Sequence, residues 1–395
     1  MANTLHDFDI VIVGGGIVGC CAAAMLAKSF NQIALIDNSE TPTWQPQQAF
    51  GLRVSAINLA SRTLLDDIDV WEKIMAMRAY PYRSMSVWEQ ASATSIRFEA
   101  NDTGHDQLGA IVENQVMLYA LNDQLKHVNN VTCFNGVSLA DLSTIGEHTV
   151  FAELDDGTRL TAKLLIGADG QRSQVRACMG IDFERTEYDQ VGIVCTVEVE
   201  LSHEQTAWQC FTEQGPLALL PLSEQYCSVV WSVPTGRGEE ILNLSDDEFD
   251  KEISLAFEHR LGRIKVASAR RSFPLLGAQA EKYIDNRVVL VGDAAHVIHP
   301  LAGLGLNLGL EDVQQLATAL ATSNRELGSQ RVLRQYERAR KSEKRIMQKS
   351  LESIDYLFRG ERVEHKFARA VGVGLSDKLP PLKSLFMQRA LGIPG

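Results

Sequence analysis

The fold is decided by residues 8–19, which read FDIVIVGGGIVG. Phe8 to Val13 is a short apolar run rich in β-branched residues, typical of a buried strand, and Ile17 to Phe30 has the Ala, Leu and Met content of a helix. Ile33 to Asp37 follows as a second strand. Because parallel strands need a crossover helix between them, this order predicts a βαβ unit and an α/β fold.

The glycines of this turn match the dinucleotide-binding fingerprint. Gly14 would make the tight turn, Gly16 would let backbone approach a pyrophosphate, and Gly19 would let helix and strand pack closely. Phosphate would lie on the free N–H groups at the helix start, around Ile17 and Val18. Asp37, 18 residues after Gly19, is placed to accept hydrogen bonds from an adenosine ribose. The strand, helix and acid together disfavour a glycine turn that binds nothing.

A second segment, almost the whole chain away, discriminates between NAD and FAD. Residues 287–291, RVVLV, read as a buried strand ending at Gly292-Asp293, where the Asp293 carboxylate could bind the hydroxyls of a ribityl chain. NAD has no such chain. Pro300 to Asn307 lead into a helix starting near Leu306, whose free N–H groups could stabilise negative charge on a reduced isoalloxazine. The cofactor predicted from these segments is FAD.

The composition excludes several classes of function. With 395 residues, 45% of them hydrophobic, the chain can bury a large core in two domains or one elaborated domain. The net charge of −12 and pI near 5.3 argue against nucleic acid as a partner, since phosphate binding needs clustered Lys and Arg. Seven cysteines without a CxxC pair indicate reduced thiols in a cytoplasmic protein. No apolar stretch approaches the roughly 18 to 20 residues of a membrane-spanning helix.

A histidine pair and a basic helix admit more than one interpretation. His296 and His299 span a loop with no carboxylate or thiol to complete a set, so no metal is predicted, and neither is assigned as a general base. The predicted helix over 331–349 carries basic residues at 334, 338, 340, 341, 344 and 345, interleaved with Glu337 and Glu343. We interpret them as a solvated face, with docking to a lipid surface or partner as the alternative.

Two strand-rich blocks predict a second, sheet-based domain assembled from discontinuous pieces. Residues 83–100 alternate in character, and further strands are predicted over 192–200, 207–212 and 226–233. Asp246 to Leu261 reads as a helix with a capping box formed by Ser245 and Glu248. The predicted organisation is an FAD-binding domain over 1–82, 101–185 and 277–340, a substrate-binding sheet domain over 83–100 and 186–276, and a C-terminal helical region over 341–395.

A third motif lies between the two glycine segments. Residues 165–176, LIGADGQRSQVR, form a strand ending at Asp169-Gly170, with Ser173 and Arg176 following. Alone, an Asp-Gly pair is more often a turn than a site. In this order, however, the three segments resemble those of class A flavoprotein monooxygenases of the para-hydroxybenzoate hydroxylase type. That resemblance implies an α/β, Rossmann-type FAD-binding domain, an inserted β-sheet substrate domain and C-terminal helices.

Shorter segments narrow the resemblance to the ubiquinone-biosynthesis hydroxylases, and within them to 2-polyprenylphenol hydroxylases. These segments are LRVSAIN at 52–58, VW at 70–71, VWE at 87–89, IVEN at 111–114, RLG at 260–262, SFPL at 272–275 and HPLAG at 299–303. The chain departs from the family at residues 303–305, which read Gly-Leu-Gly where Gly-Gln-Gly is usual. Leu304 therefore removes an amide side chain near the flavin ring.

The resemblance implies an activity and partners. NADPH or NADH, bound transiently, would reduce a mobile flavin; O₂ would form a C4a-hydroperoxide, and its distal oxygen would hydroxylate the ring of a polyprenylated phenol. The long tail implies possible peripheral association with the inner membrane or with a biosynthetic complex, and homo-oligomer formation through the C-terminal helices is a further expectation. Two alternatives stay open: a reductase or oxidase of the same fold, and a non-catalytic flavin-binding subunit. A halogenase of the same fold is disfavoured, because the chain has no Trp-x-Trp-x-Ile-Pro segment.

The resemblance also assigns residue roles. Gly14, Gly16 and Gly19 with Asp37 would hold the ADP half of FAD. Arg53 would lie near the pyrophosphate and flavin, unless it is a structural ion-pair partner, and Asp169 would lie by the pyrophosphate and the nicotinamide access path. Asp293 would bind the ribityl chain. The groups expected around the flavin ring are the backbone of Pro300 at the reactive edge, then Gly303, Gly305, Leu306 and Asn307.

Overall fold

A computed structural model describes residues 5–90, 95–298 and 305–359, with side chains as far as Lys344. The helices within these ranges are α1 (Ile17–Leu26), α2 (Leu59–Asp67), α3 (Trp71–Arg78), α4 (Asn114–Leu125), α5 (Gln174–Cys178), α6 (Thr235–Asn243), α7 (Asp246–Ala256), α8 (Gly305–Ala321) and α9 (Gln330–Arg359). The first strands are β1 (Leu5–Val13), β2 (Ile33–Asp37), β3 (Val54–Asn58), β4 (Ala79–Tyr82), β5 (Ser84–Glu89), β6 (Ser95–Glu99), β7 (Gly109–Glu113), β8 (Val131–Asn135), β9 (Leu139–Ile145) and β10 (Thr149–Leu154). The remaining strands are β11 (Arg159–Gly167), β12 (Phe183–Val199), β13 (Thr206–Thr212), β14 (Gly215–Pro221), β15 (Tyr226–Pro234), β16 (Ile264–Val266), β17 (Arg271–Ala280), β18 (Ile284–Asp285), β19 (Val288–Leu290) and β20 (His296–Val297).

The first sheet carries the βαβ unit predicted from the amino-terminal sequence. Its strand order is β18-β19-β11-β1-β2-β8, and β10 and β9 extend it from the first half of β11. The strands β19, β11, β1, β2 and β8 run parallel. Helices α1, α4 and α8 pack on one face, where Ile10, Ile12 and Leu35 join their apolar side chains in the largest core cluster. The predicted α/β class is confirmed.

The second sheet is mostly antiparallel. Its order is β20-β17-β12-β15-β14-β13-β5-β6, with β16 paired to β12. Alternate residues of β12 and β15, such as Ile193 and Trp231, enter a core shared with α6 and α7. The opposite face carries small side chains in register, where Thr196 pairs with Ser228 and Gly192 with Ser232. A third sheet, β3-β7-β4, is antiparallel.

Helix α7 has the predicted start and an earlier end. Ser245 accepts from the Glu248 N–H while the Glu248 carboxylate accepts from the Ser245 N–H, so the capping box is confirmed. The helix ends at Ala256 and not at Leu261. Glu258 and His259 both adopt left-handed backbone conformations, which turn the chain away from the helix axis. The turn brings the Glu258 carboxylate to 2.8 Å from the indole nitrogen of Trp88.

Candidate functional site

The three predicted cofactor segments follow three neighbouring parallel strands. Val13 of β1 pairs with Gly167 of β11, and Gly167 pairs with Leu290 of β19. The glycine turn, the Asp169-Gly170 pair and the Gly292-Asp293 pair therefore leave the sheet at one edge. In open parallel sheets, ligands bind outside the carboxyl ends of the strands.

The glycines of the first turn are required for different reasons. Gly14 has φ +106°, and a Cβ atom there would lie 2.4 Å from the carbonyl oxygen of Ala168. A Cβ atom on Gly19 would lie 1.8 Å from the carbonyl oxygen of Gly14, so this glycine permits close helix–strand packing. A Cβ atom on Gly16 would meet no protein atom within 4 Å. Gly16 therefore borders open space at the amino terminus of α1, where an anion would approach N–H groups.

The turn over Gly292–Ala294 is held from several sides. Gly292 has φ +58° and its N–H donates to Oδ2 of Asp312 at 2.9 Å. Arg176 donates from Nη1 to the carbonyl oxygen of Ala294 at 2.8 Å. A Cβ atom on Gly292 would lie 3.3 Å from Val18, which also packs close to Gly309 of α8. This links the glycine turn, α5 and α8 to the segment that bears Asp293.

Arg176 was not predicted to have a site role, although it belongs to the third motif. Besides bonding Ala294, it donates from Nη2 to the carbonyl oxygen of Gln171 at 2.6 Å, and its guanidinium lies 3.6 Å from the Phe183 ring centroid. The side chain is buried, and burial lowers its pKa. Arg176 therefore joins two of the three cofactor segments by charge-assisted hydrogen bonds.

Asp293 lies in a concave part of the surface. Its side chain is accessible to solvent, yet protein surrounds it enough that burial raises the pKa of its carboxyl group. A hydrogen bond with Gln171 and the charge of Arg53 oppose that rise. An accessible acceptor within a cleft fits a ligand with hydroxyl groups. The open space at Gly16 and the cleft at Asp293 both fit FAD.

The two carboxylate oxygens of Asp169 differ in their hydrogen bonds to the described residues. Its Oδ2 accepts from the N–H groups of Gln174 and Val175 at 2.6 and 3.1 Å, which fixes the start of α5. Its Oδ1 is buried and has no hydrogen-bond partner within the described ranges. Since an unsatisfied buried oxygen is unfavourable, Asp169 is suited to receive a donor from a ligand.

Asp37 is engaged by its own surroundings. Its Oδ2 accepts from the Gly15 N–H in a short hydrogen bond, and Oδ1 accepts from the Ser39 N–H at 2.7 Å. The side chain remains half-exposed at the end of β2. Because each carboxylate oxygen has two lone pairs, Asp37 retains capacity for a ribose hydroxyl.

Arg53 is brought to the site by a hydrogen-bonded loop. The buried Glu113 accepts from the Gly51 N–H at 2.5 Å and from Nε of Arg78 at 2.5 Å. The Asn114 N–H donates to the carbonyl oxygen of Arg53 at 2.9 Å. The exposed Arg53 side chain is thereby held close enough to influence the charge of Asp293. The IVEN segment, which carries part of the family resemblance, supplies both Glu113 and Asn114.

The start of α8 is tied to the same region. Asn307 is buried, its Oδ1 accepts from the Asn58 N–H at 3.1 Å, and its Nδ2 donates to the carbonyl oxygen of Ala56 at 2.8 Å. The side-chain amide of Asn307 is therefore bonded to β3, and only the backbone of Asn307 is left to contact a flavin ring. Leu306 is half-buried and Gly305 is exposed. The predicted Pro300 and Gly303, with Leu304 and His299, lie outside the described residues.

A buried charge cluster lies behind this turn. Asp312 is fully buried; it accepts from Nε2 of His296 at 2.6 Å and from Nε of Arg340 at 2.6 Å, and Nζ of Lys344 lies 3.7 Å away. Although burial alone would raise it, the charge of Lys344, the hydrogen bond from His296 and the charge of Arg340 hold the pKa of Asp312 well below its usual value. Burial lowers the pKa of His296, so its imidazole is neutral and donates to the carboxylate.

This cluster corrects one interpretation of the sequence. Arg340 and Lys344 were predicted to lie on a solvated helix face, and that prediction is wrong, because both are buried against α8. Arg340 also bonds Glu343, Glu311 and the carbonyl oxygen of Leu308. The missed signal is Asp312 itself, an acid in line with the apolar Leu308 and Leu316 on α8.

No group of three or more metal-binding side chains occurs in the part of the chain that the structure describes. Among the described helices, none is both long enough and apolar enough to cross a bilayer.

Comparison with known proteins decides the family. An FAD binding domain model matches residues 7–350. The chain is 35% identical over 396 residues to the 3-demethoxyubiquinol 3-hydroxylase of Escherichia coli, covering 99% of this chain and all of the relative. It is 34% identical over 387 residues to a ubiquinone hydroxylase of Rhodospirillum rubrum, covering 97% of this chain and 89% of the relative. The chain belongs to the FAD-dependent ubiquinone-biosynthesis hydroxylases.

Solved structures place this hydroxylase in the expected fold. The p-nitrophenol 4-monooxygenase of Pseudomonas putida superposes with a TM-score of 0.79 at 18% identity, covering 99% of this chain and 100% of the other. A probable FAD-dependent monooxygenase of Pseudomonas aeruginosa gives 0.76 at 18% identity, covering 93% and 99%. The resemblance predicted from the three motifs, the para-hydroxybenzoate hydroxylase-like fold and FAD as cofactor are confirmed. NADPH or NADH is the electron donor typical of this hydroxylase family.

Proposed function

We propose that this protein hydroxylates the aromatic ring of a polyprenylated phenol during ubiquinone biosynthesis, using FAD, O₂ and NADPH or NADH. The observation that carries the proposal is the meeting of three cofactor segments at one sheet edge, in a chain whose relatives are named for ubiquinone hydroxylation. Bound FAD would supply the activation of O₂ that no side chain provides. The protein would supply orientation and exclusion of water.

The side chains divide the work of holding FAD. We assign the pyrophosphate to the N–H groups around Gly14, Gly16, Ile17 and Val18 with Asp169 beside them, because Gly16 borders open space and Asp169 keeps an uncommitted oxygen. We assign the ribose to Asp37 and the ribityl chain to Asp293. Arg53, near Asp293, would orient the flavin, and the backbone of Pro300, Gly303, Gly305, Leu306 and Asn307 would border its ring.

We place the substrate on the second sheet. Its face opposite the α6 and α7 core carries Gly192 with the buried side chains of Thr196, Ser228 and Ser232, and an apolar ligand on this face would lie against them. This assignment accompanies the proposed division into an FAD-binding domain over 1–82, 101–185 and 277–340, and a substrate domain over 83–100 and 186–276. Strands β12 and β17 cross the proposed boundaries and would link the two.

The reaction is tested with the full-length protein loaded with FAD, a 2-polyprenylphenol in detergent, NADPH and isotopically labelled O₂. We expect mass spectrometry to find one labelled oxygen atom in the ring for each NADPH consumed. A reductase would convert substrate without O₂, and a non-catalytic flavin-binding subunit would leave the phenol unchanged. Either result would contradict the proposal.

The position of hydroxylation is a finer part of the proposal. We propose a 2-polyprenylphenol as substrate, while the relatives' names include a hydroxylase of 3-demethoxyubiquinol, a different ring. Expression of the protein in bacterial strains, each lacking one ring hydroxylase, tests this directly. Restored ubiquinone in the strain that accumulates 2-polyprenylphenol, and in no other, is the expected result; restoration only in another strain would reassign the ring carbon.

We further propose peripheral contact with a membrane or biosynthetic complex and self-association through the C-terminal helices over 341–395. A long polyprenyl tail partitions into lipid, which is the physical reason for the first proposal. Sedimentation of the full chain should give a multiple of 43.6 kDa, and the protein should float with phospholipid vesicles. A strict monomer would contradict the proposed self-association, and protein that does not float with the vesicles would contradict the proposed membrane contact.

A further inference from the structure

Lys344 is a buried cation without a hydrogen-bond acceptor among the described residues. Its side chain is 4% exposed, and its Nζ lies 3.7 Å from Oδ1 of Asp312. That oxygen already accepts from Nε of Arg340 at 2.6 Å. The Lys344 ammonium is therefore buried beside a carboxylate that already binds the Arg340 guanidinium. Glu311 and Glu343 also favour its charged form, but Nζ makes no hydrogen bond within the described ranges, and a buried ammonium without one is unfavourable.

The charge of Lys344 acts on the cofactor turn. Burial raises the pKa of Asp293, and Lys344 is one of the cations that oppose the rise. Asp312, the nearest carboxylate to Lys344, also accepts from the Gly292 N–H at 2.9 Å. Lys344 thus reaches the turn in two ways, through space to Asp293 and through the Asp312 hydrogen bond to Gly292.

We propose that Lys344 is a positioning residue for FAD, and that α9 sets the affinity of the cofactor through it. Asp293 must be ionised to accept hydrogen bonds from hydroxyl groups with both oxygens, and a cleft disfavours the ionised form. A fixed ammonium nearby favours it. The ammonium of Lys344 also interacts favourably with the negative charge that FAD brings when it binds. The inference concerns FAD binding, which the family establishes, and does not require the proposed hydroxylation.

The proposal entails a pH dependence of FAD binding. Burial lowers the pKa of Lys344 to about 8 in the FAD-free protein, although Asp312 opposes the shift. Bound FAD adds negative charge and favours the ammonium, so binding takes up a proton and weakens as the pH rises through about 8. The other charged or titratable groups around the cluster are Glu311 and Asp312 on α8, Glu337, Arg340 and Glu343 on α9, His296 on β20, Tyr283 before β18, Tyr336 on α9, and Asp293 with Arg53 at the cleft.

The test measures FAD binding and not catalysis. Full-length FAD-free protein is titrated with FAD at pH 7 and pH 9, and quenching of flavin fluorescence gives the dissociation constant. We expect the wild-type affinity to fall about tenfold between these pH values, the equivalent of one pKa unit. Lys344→Met should bind about tenfold more weakly at pH 7 and show no further loss at pH 9. Lys344→Arg, which keeps its charge, should bind equally at both.

Lys341→Met is the matched control. Lys341 lies on the same helix, its Nζ donates to the carbonyl oxygen of Glu281, and its side chain is 28% exposed. This variant should follow the wild type at both pH values. The proposal is overturned if Lys344→Met binds FAD within about twofold of the wild type at pH 7. Should Lys344→Met not fold by circular dichroism, Lys344→Arg decides: a loss of affinity at pH 9 equal to that of the wild type also overturns it.

Discussion

The N–H of Gly292 donates to the Asp312 carboxylate at 2.9 Å, across 20 residues of chain. The same carboxylate binds His296 and Arg340, so one fully buried acid joins the cofactor turn, β20, α8 and α9. The placement of Asp293 therefore depends on contacts well behind the cleft. Substitutions in this region can therefore be compared by two measurements, the stability of the FAD-free protein and its affinity for FAD.

Two glycines of the same motif should fail in different ways. Gly16→Ala adds a methyl group where no protein atom lies within 4 Å, so the FAD-free protein should keep its stability within about 1 kcal/mol. The methyl group would occupy the proposed pyrophosphate site, and FAD affinity should fall by at least about tenfold. Gly19→Ala places its methyl group 1.8 Å from a backbone oxygen and should disrupt the fold itself.

Thermal unfolding of the FAD-free proteins and FAD titration separate these outcomes. Gly236→Ala, a third variant, lies on α6, where a Cβ atom would meet no described atom beyond the adjacent helix backbone within 4 Å and φ is not positive, so it controls for the added methyl group. If Gly16→Ala bound FAD as tightly as the wild type, the pyrophosphate would have to lie elsewhere.

Asp312→Asn should destabilise the protein strongly. The change keeps the shape of the side chain and leaves Arg340 and Lys344 buried without their shared carboxylate, which typically costs about 3–5 kcal/mol. Urea unfolding of FAD-free protein measures the loss. Glu311→Gln is the control, because Glu311 is 44% exposed and contacts the same Arg340. It should change stability by no more than about 1 kcal/mol.

The stability difference between the wild type and Asp312→Asn should depend on pH. Asp312 has a folded-state pKa well below its usual value, so its contribution is complete above the unfolded pKa of about 4 and is lost as the pH falls further. The stability difference between wild type and Asp312→Asn should therefore be constant from neutral pH to about pH 5 and shrink below about pH 4. A difference that stayed constant into acid would mean that Asp312 is not ionised in the folded protein.

Local patterns sufficed for much of the fold. The β1–α1–β2 unit, the capping box of α7 and the start of α8 follow from periodicity, caps and glycines within short windows. Each of the three cofactor segments also follows a predicted strand, whereas the pairing that brings them to one edge is a finding of the structure. The burial of Arg340 and Lys344 could not be predicted, because basic residues on a charged helix are expected to be exposed unless a buried acceptor is known. That acceptor, Asp312, lies 28 residues before Arg340 on another helix.

Arg176→Lys should weaken FAD binding while leaving most of the fold intact. A lysine keeps the charge but cannot donate from two nitrogens at once to Ala294 and Gln171, which are bonded at 2.8 and 2.6 Å. We expect a loss of about 2 kcal/mol in stability and a several-fold weaker FAD affinity. Arg185→Lys is the control, because Arg185 is exposed beside the same Phe183 ring at 5.9 Å. Equal FAD affinities of the two variants would show that Arg176 does not position the turn.

Arg53→Met should affect the cofactor without affecting the fold. The side chain is exposed, so the stability of FAD-free protein should change by less than about 0.5 kcal/mol. Its charge acts on Asp293, and losing one such exposed interaction, worth about 1 kcal/mol, should weaken FAD binding about fivefold. If Arg53 also orients the flavin, more NADPH should be consumed without product, with hydrogen peroxide released instead. Arg62→Met removes a comparable surface charge, paired with Asp66 on α2, and should leave both quantities unchanged. A fivefold loss of affinity without any rise in peroxide would limit Arg53 to a role in binding, whereas unchanged affinity and coupling would make it the structural ion-pair partner that the sequence left open.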